Sequence, residues 1–366
     1  MTEREALQSI RKLRKRIRAV DAGILALLRR RLSLARRVGE AKAAAGLPVR
    51  DFKTESGVLD AARSYCEKSG LSPDLGEEIV RTLIRGSVEV QERIRHGRFQ
   101  GGLKDVLVLG GCGAMGRWFA DFFDAQGHRV RVADTRRGAR SHYPLVRDAA
   151  AAAREADIVV IAAPIRGVGP ALRMLRESGT RALVFDIASV KSPFLGELRS
   201  AAASLRVGSI HPMFGPDAKL LSGRTLILCD AGRGEDRREI RSLFQGTALS
   251  IVEMPLKDHD RWMACILGLS HLVNILYFDA LASSGRRFSA LQRFGSTTFE
   301  RQSDASRQVA FENARLYYDI QSLNPGSRAV MKALRSSLER VDRAVRSGRP
   351  DAFLSLMRRG RGFFGS

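Results

Sequence analysis

The chain has 366 residues, of which 62 are lysine or arginine and 39 aspartate or glutamate, so its formal net charge is +23. This length allows two or three domains, each with its own core. No run approaches the ~18 apolar residues of a membrane span, and the charged N-terminus lacks the apolar region of a secretion signal. The basic residues are spread along the chain and not interleaved with aromatic residues, which favours a solvated surface that attracts small anions over a nucleic-acid interface.

The four cysteines are scattered, and no two of them form a C-x-x-C pair. They therefore predict neither a disulfide framework nor a zinc site, and we expect no metal. Cysteines used in this way are typical of a reducing compartment, so we expect a cytoplasmic protein.

The first predicted element is a single long helix over residues 5–44, in which apolar residues recur at steps of three and four. Gly46-Leu-Pro48 ends it, and shorter helices follow at 53–69 and 73–95. A forty-residue helix spans about 60 Å. That is too long for its apolar stripe to be buried against the two shorter helices, so we expect this region to form a dimer.

Polar residues at fixed positions of these helices form a candidate anion site. Ser87 and Gln91 are four residues apart and so share one helix face. The region resembles the all-helical chorismate mutase domain, in which three helices intertwine with those of a second chain. The resemblance is carried by the segments Leu13–Asp21, Val38–Lys42, Pro48–Asp51 and Ser87–Gln91.

Chorismate is a dicarboxylate that rearranges without covalent catalysis, so only positioning and electrostatics can accelerate its reaction. The resemblance implies that Lys42 and Gln91 are catalytic and donate to the ether oxygen of the breaking bond. It also implies a substrate-binding set in which Arg14 comes from the partner chain. The set is Arg14, Arg31, Asp51, Glu55 and Ser87. The family has an arginine where this chain has Thr54. A head with weakened mutase activity therefore remains an alternative.

A polar, glycine-rich stretch at 95–104 predicts a linker. Beyond it, an apolar run at 106–109 meets Gly111-x-Gly113-x-x-Gly116 and then an amphipathic helix, the context in which this motif indicates a dinucleotide site. We expect Gly111 to allow a tight turn, Gly113 to let the backbone approach a pyrophosphate and Gly116 to let the helix pack on the strand. The predicted cofactor-binding residues are Gly111, Gly113, Ala114, Met115, Gly116 and Asp134.

Asp134 ends the second predicted strand, about twenty residues beyond the glycines. A carboxylate at this position is expected to accept the adenosine ribose hydroxyls and to repel a 2′-phosphate, which favours NAD. Arg136 and Arg137 lie close enough to keep NADP open as the alternative.

Further apolar runs alternate with helical patterns and predict a doubly wound sheet. The additional strands are expected at 156–164, 181–187, 207–210 and 224–229. Ser189 and His211 follow two of these strands, at the carboxyl edge where such sheets bind ligands.

The segments Gly110–Gly116, Asp186–Lys191 and His211–Asp217 resemble prephenate dehydrogenase, and the match covers about residues 104–365. A neutral imidazole can accept the hydroxyl proton of prephenate as hydride departs. The resemblance implies that His211 is this base and that Ser189 orients the same hydroxyl.

The resemblance also implies that His271 borders the substrate pocket, although its position on an apolar helix face is equally typical of a core histidine. We assign no functional role to His259 from the sequence. The substrate carboxylates need a cation, but the family's arginine position is Gln308 here. Arg307 is beside it and points about 100° away on a helix. We take Arg307 as substrate-binding, with the alternatives Arg301 and Arg315.

The sequence thus predicts an all-α chorismate mutase head of three helices, intertwined in a dimer, an α/β Rossmann-type NAD-binding domain and an all-α C-terminal dimerisation domain. The boundaries are 1–94, 95–104 for the linker, 105–255 and 256–366. We expect a homodimer that converts chorismate to prephenate and then, with NAD, to 4-hydroxyphenylpyruvate for tyrosine synthesis, without nucleic-acid or membrane partners. Alternatives are the 4-amino analogues of both substrates, a dehydrogenase with a weakened head, and a non-catalytic binder.

Overall fold

The computed structural model describes residues 3–45, 52–96, 102–136, 138–218, 221, 223–245 and 247–365. Its N-terminal part consists of the helices α1 Glu3–Ala44, α2 Phe52–Ser69 and α3 Pro73–His96. α1 is one continuous helix of 42 residues. α3 packs against α1 and against α2. The three helices expected from periodicity are therefore confirmed.

The apolar stripe of α1 lies on the surface of the single chain. Ile17, Val20, Ile24 and Leu27 are each between 58% and 65% exposed. Large exposed aliphatic patches of this kind mark surfaces that another protein covers.

A seven-stranded sheet forms the central domain, in the order β2-β1-β3-β4-β5-β6-β7. The strands are β1 Asp105–Leu109, β2 Arg129–Ala133, β3 Ile158–Ile161, β4 Leu183–Asp186, β5 Arg206–Pro212, β6 Thr225–Cys229 and β7 Ser250–Met254. Neighbouring strands are parallel except β5 and β6, which are antiparallel. The predicted doubly wound architecture is confirmed. β7 was not among the predicted strands, because this edge strand is only partly buried and lacks a continuous apolar run.

Helices cover both faces of the sheet, and each face has its own core. The helices are α4 Ala114–Ala125, α5 Ala149–Glu155, α6 Ile165–Ser178, α7 Leu195–Ala202 and α8 Gly234–Leu243. On one face the Phe119 ring packs edge-on against Phe185 and Phe244. On the other, Leu172 and Leu198 are almost fully buried. Both cores hold the carboxyl edge of the sheet in place.

All the regular secondary-structure elements among the described residues after β7 are helices. They are α9 Leu256–Met263, a π-helical segment Ala264–Leu269, α10 Ser270–Ser283, α11 Phe288–Gln292, α12 Thr297–Phe311, α13 Ala314–Leu323, α14 Ser327–Arg346 and α15 Pro350–Phe364. The run Leu256–Ser283 is long and apolar enough, by length and composition only, to cross a membrane, and little of it is buried in the single chain. Phe294, Phe311 and Phe364 are each at least 84% exposed, so this domain also presents apolar surface.

Candidate functional site

The glycine-rich turn connects β1 to α4 and leaves no room for a side chain at Gly110, Gly111 or Gly116. A Cβ atom at Gly116 would collide with the carbonyl oxygen of Gly110, and one at Gly111 would collide with the Val132 side chain on β2. The left-handed residue of the turn is Gly110, with a φ of 79°, rather than the expected Gly111. Gly111 is instead needed for the close approach of β2.

The start of α4 has the features of an anion site. Gly113 is the N-cap residue of this helix and donates its N–H to the Gly110 carbonyl over 2.9 Å. Ala114 and Met115 form the first turn, where unpaired N–H groups and the positive end of the helix dipole attract phosphates. The tight turn and the helix start therefore fit the pyrophosphate of a dinucleotide.

Asp134 lies just beyond β2 beside this turn, and its carboxylate is bonded on both oxygens. Arg136 donates from its backbone N–H and Nε to Oδ1, over 3.0 and 2.9 Å, and from Nη2 to Oδ2 over 3.0 Å. The backbone N–H of Cys112 donates to Oδ2 over 3.1 Å. Burial raises the pKa of Asp134, but these hydrogen bonds outweigh it and hold that pKa below the ordinary value.

Three side chains form a buried hydrogen-bond chain at the carboxyl edge of the sheet, which we call the histidine relay: Asp260, His259 and His211. The His211 Nδ1 lies 3.0 Å from the His259 Nε2, and the His259 Nδ1 lies 2.7 Å from the Asp260 Oδ1. The Asp260 carboxylate also accepts the backbone N–H groups of Lys191, over 2.8 Å, and Ser192, over 2.6 Å. The relay therefore connects β5 and α9 to the loop after β4.

The order of the relay determines which nitrogen of His211 can accept a proton. Because a carboxylate only accepts hydrogen bonds, the His259 Nδ1 must donate, and a neutral His259 then has an unprotonated Nε2. That Nε2 accepts from the His211 Nδ1, so a neutral His211 has its Nε2 free of a proton. This geometry is that of a general base held in one tautomer.

A buried ion pair lies next to the relay, in surroundings that keep His211 neutral. The Lys191 Nζ donates to the Asp186 Oδ1 over 2.6 Å and to the Ile210 carbonyl over 2.8 Å, and both charged side chains are fully buried. Burial, and after it the positive charge of Lys191 and the charge that His259 would carry if protonated, holds the pKa of His211 well below its ordinary value. His211 is therefore neutral throughout the physiological pH range.

Ser189 lies close to the same edge. β4 and β5 pair with Asp186 opposite Ser209, so Ser189 and His211 lie three and two residues beyond this pair. Ser189 is half-buried. The structure thus brings both predicted residues to the ends of neighbouring strands, as expected.

His271 lies on α10 with its ring edge-on to Tyr317, and the two ring centroids are 4.3 Å apart. Its Nδ1 is buried and has no hydrogen-bond partner within the described residues. Burial lowers the pKa of His271 to about 4. A neutral His271 can exchange a hydrogen bond with a substrate, but it cannot supply the cation that a carboxylate needs.

The three candidate arginines lie in different surroundings. Arg307 stacks over the Phe311 ring at 5.9 Å and borders an open cavity on α12. The cavity is lined by Asp304, Arg307, Gln308 and Phe311. Arg315 donates to the buried Asp319 over 3.4 Å, and Arg301 is exposed. Among the three, Arg307 is the one beside the family position Gln308, and both residues line this open depression although they point about 100° apart on the helix.

Three of the residues expected to form a mutase site, Arg31, Ser87 and Gln91, lie where α1 and α3 approach one another. Arg31 donates from Nη1 to the Ser87 hydroxyl and, over 2.6 Å, to the Leu83 carbonyl. A Cβ at Gly39 would lie 2.9 Å from the Cγ of Gln91, so a glycine is needed for this packing. The Gln91 Oε1 is buried without a hydrogen-bond partner among the described residues. An unsatisfied buried amide is costly unless a ligand bonds to it.

The remaining residues of the head are distributed along the helices. Lys42 on α1 and Glu55 on α2 are half-buried, and Thr54 is exposed. Arg14 is exposed on the N-terminal half of α1. Asp51 lies outside the described residues. Arg31, Ser87 and Gln91 are thus brought together, whereas Arg14 is far from them along the same helix.

Sequence reasoning missed the relay, since it gave His259 no role and did not consider Asp260 or Lys191. The available signal was that His259 and Asp260 lie within the segment that resembles the dehydrogenase. Within the described residues, no group of three or more His, Cys, Asp or Glu side chains could hold a metal ion.

Three family matches cover most of the chain. Residues 13–92 match chorismate mutase type II, residues 129–249 the nucleotide-binding domain of prephenate dehydrogenase, and residues 255–359 the dimerization domain of prephenate dehydrogenase. These matches agree with the helical head, the sheet and the C-terminal helices.

Relatives of known name align over the same regions. The T-protein of Enterobacter agglomerans is 27% identical over 353 residues, which are 96% of this chain and 92% of the relative. The 4-amino-4-deoxyprephenate dehydrogenase of Streptomyces pristinaespiralis is 30% identical over 278 residues, 71% of this chain and 90% of the relative. The structure of prephenate dehydrogenase from A. aeolicus with hydroxyphenyl propionate and NAD+ has a TM-score of 0.59 at 18% identity, covering 73% of this chain and 99% of that one, and is similar in fold.

Proposed function

Since this chain belongs to the prephenate dehydrogenase family and has a type II chorismate mutase domain at residues 13–92, we propose that it is a bifunctional enzyme of tyrosine biosynthesis. It rearranges chorismate to prephenate and then oxidatively decarboxylates prephenate to 4-hydroxyphenylpyruvate with NAD. The observation that carries this proposal is the histidine relay, because it leaves an unprotonated Nε2 on a neutral His211 at the same carboxyl edge of the sheet as the glycine-rich turn.

In the dehydrogenase reaction, NAD held at the glycine-rich turn and Asp134 would supply the hydride acceptor for the ring carbon that carries the hydroxyl. The His211 Nε2 accepts the hydroxyl proton as the carbonyl forms. The ring carboxylate then leaves as carbon dioxide, the electron pair of the broken C–C bond makes the ring aromatic, and the carbonyl oxygen takes the proton back from His211 to become the phenol hydroxyl. Asp260 stabilises the positive charge that develops on His211 and His259, and Ser189 orients the hydroxyl. A positioned base contributes about 10²–10⁴ in rate.

In the mutase reaction, Arg31 holds a substrate carboxylate while Lys42 and Gln91 donate to the ether oxygen. Ser87, Asp51 and Glu55 complete the set. Arg14 acts from the partner chain, because it is 28 residues from Lys42 on one continuous helix. That separation is about 42 Å, and no single chorismate can touch both side chains.

The enzyme is a homodimer, in which the partner covers the exposed apolar stripe of α1 and the apolar surface of the C-terminal helices, including Leu256–Ser283. The match of residues 255–359 to a dimerization domain supports this assembly. Because both substrates are small soluble anions and the cysteines carry no disulfide framework, we assign the enzyme to the cytoplasm. Its high positive charge attracts these substrates.

A second candidate function is the same pair of reactions on the 4-amino analogues of chorismate and prephenate. Two observations favour it: the Streptomyces relative that is 30% identical is a 4-amino-4-deoxyprephenate dehydrogenase, and the neutral Gln308 stands at the family's arginine position. The likeness to T-proteins over nearly the whole chain favours the hydroxy substrates.

The test measures NADH formation and identifies the product by chromatography, with purified protein, NAD and each of four substrates: chorismate, prephenate and their 4-amino analogues. We expect 4-hydroxyphenylpyruvate from both hydroxy substrates. Product from prephenate alone would mean that the head is inactive. A higher kcat/KM for the amino compounds would replace the first candidate by the second.

A further inference from the structure

The acid expected to select NAD has no free acceptor position. The two Asp134 oxygens accept four hydrogen bonds, three from Arg136 and one from Cys112. A carboxylate has about four lone-pair sites. The ribose hydroxyls of NAD can therefore bond to Asp134 only after the Arg136 guanidinium has moved away.

The guanidinium group of Arg136 lies over this carboxylate at the outer side of the pocket. Its side chain is 60% exposed, whereas that of Asp134 is 5% exposed. The ion pair neutralises the charge that would repel a 2′-phosphate. It also presents a planar cation to the position where the 2′-substituent of the adenosine ribose is expected.

This side chain can move, because it is largely exposed and the ribose hydroxyls would replace its hydrogen bonds to the buried Asp134 carboxylate. The two arrangements of Arg136 therefore correspond to the two cofactors. When the guanidinium is displaced, the carboxylate accepts ribose hydroxyls; when it stays near the pocket, it donates charge-assisted hydrogen bonds to a phosphate.

We propose that Arg136 determines the cofactor range of this enzyme, so that the adenosine pocket accepts NADP as well as NAD and binds the 2′-phosphate through Arg136. This inference rests on the proposed function for its dinucleotide site. It differs in assigning the selection to an arginine that covers Asp134, rather than to Asp134 itself.

The test is isothermal titration calorimetry of the full-length protein with NAD and NADP, without substrate. We expect dissociation constants within about tenfold of one another for the wild type. Arg136→Ala exposes the carboxylate, so it should weaken NADP at least about thirtyfold relative to NAD. Arg136→Lys keeps the charge without the bidentate geometry, so its affinity for NADP relative to NAD should fall between those of the wild type and Arg136→Ala. Titration with 5′-AMP and adenosine 2′,5′-bisphosphate should show the same shifts, since only the adenosine half is involved.

Arg129→Ala is the matched control. Arg129 makes the same kind of paired contact with Asp105, but at the opposite end of β2, so its removal should leave both constants unchanged. A wild type that prefers NAD by more than about a hundredfold, or a preference that Arg136→Ala leaves unchanged, would refute the role of Arg136 while the proposed function stands. Failure to bind either dinucleotide would refute both.

Discussion

The proposed base of the dehydrogenase reaction lies in the interior of one chain, whereas the charged residues proposed for the mutase reaction lie on helices with largely exposed surfaces. His259 and Lys191 are fully buried and His211 is 3% exposed. In the head, Arg14 and most of α1 are exposed, and the apolar stripe of that helix has no cover in the single chain. One proposed site is organised by a domain core, and the other is, in our proposal, completed by a second chain.

The chemistry of each reaction explains this difference. Proton abstraction requires a neutral imidazole, and burial favours the neutral form, so a domain core is a suitable place for His211. The mutase reaction requires permanent cations, and burying an unpaired arginine or lysine is costly. A site between two chains can keep its arginines hydrated until the dicarboxylate arrives as their counter-charge.

The largest expected effect comes from His211→Asn. Asparagine can still bond to His259 but cannot accept the hydroxyl proton, so kcat for prephenate oxidation should fall about 10²–10⁴-fold. Chorismate consumption should be unchanged, as measured by loss of chorismate absorbance. Loss of both activities in a variant that still binds NAD would contradict the separation of the two sites.

The converse variant is Lys42→Ala. It removes a donor to the ether oxygen, and loss of such a donor costs about 10²–10³ in rate. Mutase activity should fall by that factor while prephenate oxidation remains at the wild-type value. A mutase rate within about threefold of the wild type would show that Lys42 is not in the site.

A smaller effect is expected from Asp260→Asn, which removes the negative end of the relay. Stabilisation of the charged His211 should decrease, so kcat should fall about 10–100-fold and the acidic limb of the pH–rate profile should move to lower pH. KM for NAD should hardly change.

Asp236→Asn serves as the control for this variant. Asp236 is also a buried carboxylate, 1% exposed, and it pairs with Arg206 at the opposite end of β5. Its substitution should leave the pH–rate profile unmoved. If both variants shift the profile equally, Asp260 acts only through the stability of the domain.

The smallest effect concerns pH and stability. Burial lowers the pKa values of four histidines in the central domain and the C-terminal helices, which are His128, His211, His259 and His271. The unfolded chain binds protons at these residues below pH ~6.5 and the folded chain does not, so stability falls as the pH decreases below that value. Calorimetry between pH 7 and pH 5 should show the unfolding transition of the central and C-terminal domains moving to lower temperature. An unfolding temperature of these domains that stays constant over this range would refute these pKa directions.

Local patterns were sufficient for much of the molecule. Periodicity predicted α1, and the glycine spacing predicted the turn before α4, because both depend on residues close in sequence. The relay could not be found in this way, since His211 and His259 are 48 residues apart and meet only through tertiary packing. The covering of Asp134 by Arg136 was also missed, although both were noted, because two residues this close can pair or point apart.

The most direct test of the contrast between the two sites uses a heterodimer of Arg14→Ala and Lys42→Ala chains, co-expressed with different tags and purified by tandem affinity. If Arg14 acts across the interface, one of the two mutase sites is intact, because it combines the Lys42 of one chain with the Arg14 of the other. Each parent homodimer should be nearly inactive as a mutase, whereas the heterodimer should regain about half of the wild-type activity. Prephenate oxidation should be normal in all three. A heterodimer as inactive as its parents would contradict the account.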